Sequence, residues 1–212
     1  MIKHVVLFVI CIMLVCTGCH EPSNQEVIDM IYNDGDVIFS EICAQYDLSP
    51  ADFDVAAIHY GPFIDKKEAL VVLEVDDSKK SLEMSNNGDI LKAFAVCTSD
   101  LSELKTPIFS VVADEVNYNI ISFSKSAIDY LFVNAIDIAA GPEEFVGGLY
   151  SANSWNNIFP LDLCEDYDFL PIVIGNKIYL NTISEIDVER RLVFKFDSAS
   201  GSVVVFDPEQ DR

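Results

Sequence analysis

The chain has 212 residues, of which 50% are hydrophobic and 23% charged, a composition typical of a globular protein and unlike that of a disordered one. Acidic residues outnumber basic residues by 35 to 13, so the net charge is −22. Because a nucleic-acid-binding surface needs Lys and Arg to neutralise phosphates, this charge argues strongly against nucleic acid as a partner.

The first residues have the form of an export signal. Lys3 and His4 make a short basic segment, and residues 5–15 are all apolar. A signal-peptide core is about 7–15 residues long, whereas a helix that spans a membrane needs about 17–25. The length of the apolar run therefore favours a signal peptide.

The residues after the apolar core carry a motif. Cys16-Thr17-Gly18-Cys19 resembles the lipobox of bacterial prolipoproteins, in which small residues precede the cysteine that becomes lipidated. The resemblance implies a lipoprotein signal peptide over 1–18, a lipidated Cys19 and a polar tether up to residue 25. Cys16 is an alternative acceptor, and an ordinary signal peptide cut near Gly18 is the alternative for the whole segment.

A lipidated Cys19 would place the protein at a cell membrane or outer envelope, facing outside the cytoplasm. Two or three acyl chains on one residue anchor a protein stably, where a single chain does not. Anionic headgroups would repel so acidic a chain, so we expect the membrane contact to be made by the lipid alone.

Residues 26–54 are predicted to be a helical segment. Ser23 followed by Glu26 is a capping-box pattern. Apolar residues at helical spacing then predict two short helices. The first has Val27, Ile28 and Ile31 on one face, and the second has Ile38, Ile42 and Tyr46. The Ser49-Pro50 pair indicates one more helical turn.

Residues 55–212 are predicted to form an antiparallel β domain, because short apolar runs alternate there with turn-forming residues. The predicted strands are 55–60, 69–75, 81–85, 90–98, 108–113, 118–123, 128–136, 145–150, 155–159, 171–174, 177–183, 192–196 and 202–206. Gly175-Asn176 is predicted to be a two-residue hairpin turn. The predicted fold class is mainly β: an antiparallel multi-sheet protein, either a sandwich or small and propeller-like, with a short helical N-terminal segment.

Two of the predicted hairpins share a pattern. Residues 82–91 and 193–204 both read strand, polar turn, Gly, polar residue and strand, which resembles the outer-strand hairpins of β-propeller repeats. A propeller blade takes about 40–45 residues, so the predicted β region would supply fewer than four blades.

Three cysteines remain after Cys19 in the sequence: Cys43, Cys97 and Cys164. In an oxidising compartment they could form one disulfide and leave one thiol. Alternatively, all three are buried and reduced, since Cys packs as a small hydrophobe. The spacing supports neither a CxxC redox motif nor a zinc ribbon.

The residues needed for known chemistries are scarce. Beyond the leader, His20 and His59 are the only imidazole bases, and His59 is predicted to face solvent from a strand. The sequence has neither a nucleophile elbow nor a phosphate-binding loop. The acidic loops 33–36 and 162–168 lack EF-hand spacing and are interpreted as solvated. We therefore predict no catalysis, no cofactor and no metal.

The most distinctive loop is residues 147–157, which holds the only Trp of the chain. Its candidate ligand-binding residues are Tyr150, Asn153, Trp155 and Asn156, because aromatic faces and amides recognise carbohydrates or peptides. The alternative is that Trp155 packs into the core, and this is the position that we expect.

The sequence thus predicts an envelope binding or interaction protein. One alternative is an acidic, immunity-type lipoprotein that neutralises a basic toxin or effector. Another is a hydrolase that uses scattered carboxylates.

Overall fold

The computed structural model describes residues 21–34, 37–75, 90–137, 144–145, 148–158, 170–181 and 190–205. Among these residues, two helices, α1 (Asn24–Asn33) and α2 (Val37–Gln45), and a 3-10 turn (Pro50–Asp52) precede the strands. The strands are β1 (Phe53–Gly61), β2 (Glu68–Val75), β3 (Ile90–Thr98), β4 (Phe109–Ala113), β5 (Glu115–Ser122), β6 (Asp129–Asp137), β7 (Glu144–Phe145), β8 (Gly148–Tyr150), β9 (Leu170–Ile174), β10 (Lys177–Asn181), β11 (Arg190–Asp197) and β12 (Ser202–Val205).

The N-terminal helix begins as the capping-box pattern predicts. The Glu26 amide donates to Ser23 Oγ at 3.3 Å, and the Ser23 amide donates to Glu26 Oε2 at 2.8 Å. These two bonds satisfy backbone donors that the first turn of a helix leaves without partners. The predicted second helix and the turn at Pro50 are also present.

The strands form three antiparallel sheets, which confirms the predicted fold class. Sheet A has the order β1-β2-β3-β4, and sheet C has the order β12-β11-β10-β9. Sheet B has the order β5-β6-β7, with β8 also paired to β6. The predicted hairpin turn is confirmed in sheet C, where Ile174 pairs with Lys177 and Gly175 has a φ of +64°, a value that glycine adopts without strain.

The helices and sheets pack in the order helices, sheet A, sheet B, sheet C. Helix residues such as Ile28 and Phe39 share a buried cluster with one face of sheet A, including Val71. A second cluster lies between sheets A and B, and a third between sheets B and C. Sheets A and B are thus covered on both faces, and burial of this apolar surface is the main stabilising contribution to the stack.

The predicted strand 145–150 is confirmed in its described residues, since 145 and 148–150 lie in β7 and β8 and pair with β6 in one register. One strand prediction is wrong. The run 155–159 does not continue as a strand in its described part, residues 155–158, where Asn157 makes one isolated bridge to Tyr150. The reason is local: Trp155 has a φ of +50°, which is left-handed and incompatible with an extended strand. The predicted strand 81–85 and most of the 82–91 hairpin lie outside the described residues.

His59 does not face solvent as the sequence suggested. It is half-buried on β1 and turned towards sheet B, where its Nε2 lies 2.9 Å from the Tyr118 hydroxyl. Its neighbour Ile58 packs against the cluster under the helices. Because β1 is covered on both faces at Ile58 and His59, alternation at this point of the strand does not indicate a solvent-facing side.

Two of the three cysteines are buried and reduced, as the second alternative describes. Cys43 on α2 and Cys97 on β3 are buried free thiols, and Cys164 lies outside the described residues. Burial, together with the nearby Asp34 carboxylate, raises the pKa of the Cys97 thiol to about 12.

The pKa of Cys97 should make the protein less stable in alkali. The ordinary thiol pKa is 9.0, so above pH 9 the unfolded chain loses a proton that the folded chain retains. The free energy of unfolding should then fall by about 1.4 kcal/mol for each pH unit up to the folded-state pKa. Urea unfolding between about pH 9 and pH 11 measures this slope. Cys97→Ala should have the shallower slope, and equal slopes in the two proteins would contradict the assignment.

Candidate functional site

A groove of about 570 Å³ lies where the helices meet sheet A. One wall consists of Asp34, Val37 and Ile38, at the junction of α1 and α2. The other wall is residues 103–107, in the connection between β3 and β4. We call this feature the helix–loop groove.

Backbone hydrogen bonds hold the 103–107 wall against the end of sheet A. The Lys105 amide donates to the Val96 carbonyl at 2.7 Å, and the Thr98 amide donates to the Glu103 carbonyl at 2.9 Å. Leu101 adopts a φ of +60°, which allows the chain to reverse direction after β3. The wall is therefore an extension of the sheet with defined geometry.

Asp34 joins the two walls. It follows the last residue of α1, where its amide donates to the Met30 carbonyl at 2.9 Å. Its Oδ2 accepts a hydrogen bond of 2.8 Å from the Leu104 amide on the opposite wall. A charged acceptor makes this bond stronger than a neutral one would be, so Asp34 fixes the width of the groove.

The lining combines apolar and charged groups. Val37 is 66% exposed and Ile38 is 39% exposed. Glu103 pairs with Lys105 at 3.3 Å, and both side chains are exposed. Thr106 is only 8% exposed, and its Oγ1 has no hydrogen-bond partner. Such a surface can bind a partner through mixed apolar and polar contacts.

The loop singled out in the sequence lies next to this groove. The Trp155 indole Nε1 donates to the Pro107 carbonyl at 2.7 Å, and Pro107 belongs to the groove wall. The Trp155 ring is half-buried and stacks on Phe109 with their centroids 5.5 Å apart. Trp155 thus supports the groove wall through its hydrogen bond to Pro107, while part of Trp155 stays exposed.

The other three candidate residues are divided between interior and surface. Tyr150 is buried, and its ring centre lies 4.3 Å from that of Phe109. Asn153 and Asn156 are exposed. The structure therefore brings Tyr150 and Trp155 together on Phe109 and leaves the two amides on the surface of the loop.

Replacing Trp155 should separate the contributions of its ring stacking and its hydrogen bond to the free energy of unfolding. Trp155→Phe keeps an aromatic ring on Phe109 but removes the bond to Pro107, which should cost about 0.5–1.5 kcal/mol. Trp155→Ala removes both the ring and the bond. Because the side chain is half-buried, we expect the free energy of unfolding to fall by about 2–3 kcal/mol, less than the roughly 3–5 kcal/mol lost when a fully buried ring is replaced by Ala. Urea unfolding followed by circular dichroism measures both values. Equal losses in the two variants would mean that the stacking contributes nothing.

A second polar group of residues lies between sheets A and B. His59 and Tyr118 contact each other, and Lys92 Nζ pairs with Glu74 at 2.8 Å. Burial, and secondly the Glu74 carboxylate, raises the pKa of Tyr118. A tyrosine that acts as a base or nucleophile needs the opposite shift, so these residues are interpreted as a tie between the two sheets.

The described part of the chain contains no group of three or more His, Cys, Asp or Glu side chains placed to hold a metal ion. Among the same residues, no helix has the length and apolarity needed to cross a membrane. Comparison with protein-family models, curated proteins and solved structures finds no match to this chain.

The sequence contained only weak signals of the helix–loop groove. The sequence predicts an acidic loop over residues 33–36, and Asp34 of this loop lines the groove. Val37 and Ile38 begin a helix with two consecutive exposed apolar residues, a pattern that also occurs at buried helix starts. The second acidic loop, 162–168, lies outside the described residues.

Proposed function

We propose that the protein is a lipid-anchored, extracytoplasmic binding protein without catalytic activity. The observation that carries the binding role is the helix–loop groove, a concave surface with exposed apolar residues beside charged ones. The anchoring is supported by the leader, in which an apolar core over residues 5–15 precedes Thr17, Gly18 and Cys19.

A reporter fusion tests where the protein resides. Alkaline phosphatase, which needs disulfides formed outside the cytoplasm, is fused after Arg212 of the full-length chain. We expect phosphatase activity in the membrane fraction, released by detergent but not by high salt, because the lipid makes the attachment. The same fusion without residues 1–18 should be inactive. Activity in the soluble fraction would contradict the anchored location.

An immunity-type role is the second candidate, favoured by the net charge of −22. In this role the protein would neutralise a basic toxin or effector. Attraction between opposite net charges accelerates encounter, so the association rate with such a partner should fall by about tenfold or more as salt is raised. An association rate that is independent of salt would exclude this mechanism.

Carbohydrate is the alternative partner, and the exposed amides of Asn153 and Asn156 are the residues that support it. Titration with envelope glycans should then show binding that Asn153→Ala and Asn156→Ala both weaken. Unchanged binding in these variants would assign the glycan to another surface.

A further inference from the structure

We propose that the helix–loop groove is the docking site for a protruding basic segment of a partner protein. The segment would lay an apolar side chain on Val37 and Ile38 and place a Lys or Arg beside Asp34 and Glu103. This inference rests on the proposed binding function and deepens it by specifying what the groove takes.

The openness of the groove favours a segment of a larger protein over a small molecule. Val37 and Ile38 are 66% and 39% exposed although they line it. A small-molecule site commonly buries about 70–90% of its ligand. A shallow groove instead covers one side of its occupant, which suits a segment whose other side remains attached to a folded partner.

The charges of the groove favour a basic occupant. Asp34 and Glu103 contribute two exposed carboxylates, and Lys105 is the one cation among the described residues of the lining. Lys105 is paired with Glu103 at 3.3 Å, and an exposed pair of this kind contributes little stability. An incoming guanidinium can therefore replace it and bind the carboxylate in a two-pronged geometry. The net charge of −22 would also steer basic partners towards the protein.

The apolar part of the lining is exposed in the isolated chain, and an apolar side chain of a partner could bury it. Four large hydrophobic side chains are exposed in the described part of the chain, and two of them, Val37 and Ile38, are neighbours in this groove. Two adjacent exposed apolar side chains in one groove are a feature of a binding surface.

The position of the groove suits an anchored protein. It lies at the C-terminal end of α1, whose N-terminal end connects to Cys19 through the tether. A helix of 10 residues is about 15 Å long, so the groove is displaced from the anchored end by at least the length of α1 when that helix points away from the membrane.

The test uses a fluorescein-labelled peptide of alternating Arg and Leu, measured by anisotropy with the full chain in detergent. Val37→Ser should weaken binding about tenfold, because the apolar contact is lost. The double variant Asp34→Asn, Glu103→Gln should weaken it by about tenfold as well, while the amide oxygen introduced in place of the Asp34 carboxylate can still accept the bond from Leu104. A peptide with Ser in place of Leu should bind the unchanged chain and Val37→Ser equally weakly, because it makes no apolar contact with the groove, while the double charge variant should weaken its binding further.

Matched variants away from the groove provide the controls. Tyr60 on β1 has the same exposed fraction as Val37, 66%, so Tyr60→Ser removes an exposed side chain from outside the groove. Asp54→Asn with Asp65→Asn removes two exposed charges from outside the groove. Both controls should change affinity less than about twofold. Equal losses in control and groove variants would show diffuse attraction to an acidic protein and would overturn the proposal.

A crosslinking measurement separates this inference from the proposed function. A photoreactive amino acid is placed at position 37 or 60 of the full chain in cells. An adduct at position 37 whose attached peptide is rich in Lys or Arg supports the groove. Adducts at position 60 alone would overturn the groove but leave the binding function standing. A chain that forms adducts at neither position would count against both.

Discussion

Replacing Phe94 with Ala is expected to lower the free energy of unfolding by about 3–5 kcal/mol. Phe94 lies on β3, is fully buried between sheets A and B, and contacts two other rings. Its centroid is 5.8 Å from that of Phe109 and 5.5 Å from that of Tyr118. The substitution removes the middle member of an aromatic group that joins the sheets, and urea unfolding measures the loss.

A loss of this size is a large share of the stability of an ordinary domain. The Ala variant therefore needs control variants for comparison. Phe94→Leu fills most of the volume and should cost less than about half as much. Ile174→Ala, at an exposed site in sheet C, should change stability by less than about 0.5 kcal/mol. A Phe94→Ala protein as stable as the Ile174→Ala protein would contradict the packing of sheets A and B.

Replacing Cys19 with Ser is expected to abolish lipid attachment completely. The hydroxyl of Ser cannot form the thioether that the lipobox resemblance places at Cys19. The variant should therefore fail to incorporate labelled fatty acid and should accumulate with its leader uncleaved. Labelling in growing cells, followed by electrophoresis, measures both effects, since the retained leader leaves the protein larger.

The two other cysteines of the N-terminal region give the comparison. Cys11→Ser and Cys16→Ser should both label and mature as the unchanged chain does. Normal labelling of Cys19→Ser together with loss in Cys16→Ser would move the acceptor to Cys16. Normal labelling in all three variants would contradict the assignment of the lipid to Cys19, and absence of labelling in the unchanged chain would remove the anchored location from the proposed function.

Local interactions made much of this fold predictable from sequence. The capping box of Ser23 and Glu26 joins residues three apart, so its bonds depend on the chain nearby and little else. The Gly175-Asn176 turn likewise depends on the freedom of one glycine at positive φ. Where neighbouring residues decide the backbone, the pattern predicted the element.

The candidate groove depends on residues far apart in the chain, and this is why the sequence did not show it. The bond between Asp34 and the Leu104 amide spans 70 residues, and the bond between Trp155 and Pro107 spans 48. Trp155, which makes the second of these bonds, also has a left-handed backbone, whereas its apolar neighbours had suggested a strand. Composition and periodicity contain no information about such pairings.

The order of the strands has a consequence for how the chain folds. Among the described strands, sheet A uses β1 to β4, sheet B uses β5 to β8, and sheet C uses β9 to β12, so the strands of each sheet precede those of the next in the chain. Pairing of neighbours in sequence keeps contact order low within a sheet, which favours rapid folding. If the chain is exported from its N-terminus, as proposed, it can form sheet A while sheet C is still inside the cell, and the apolar face that awaits sheet B is then the surface most in need of a chaperone.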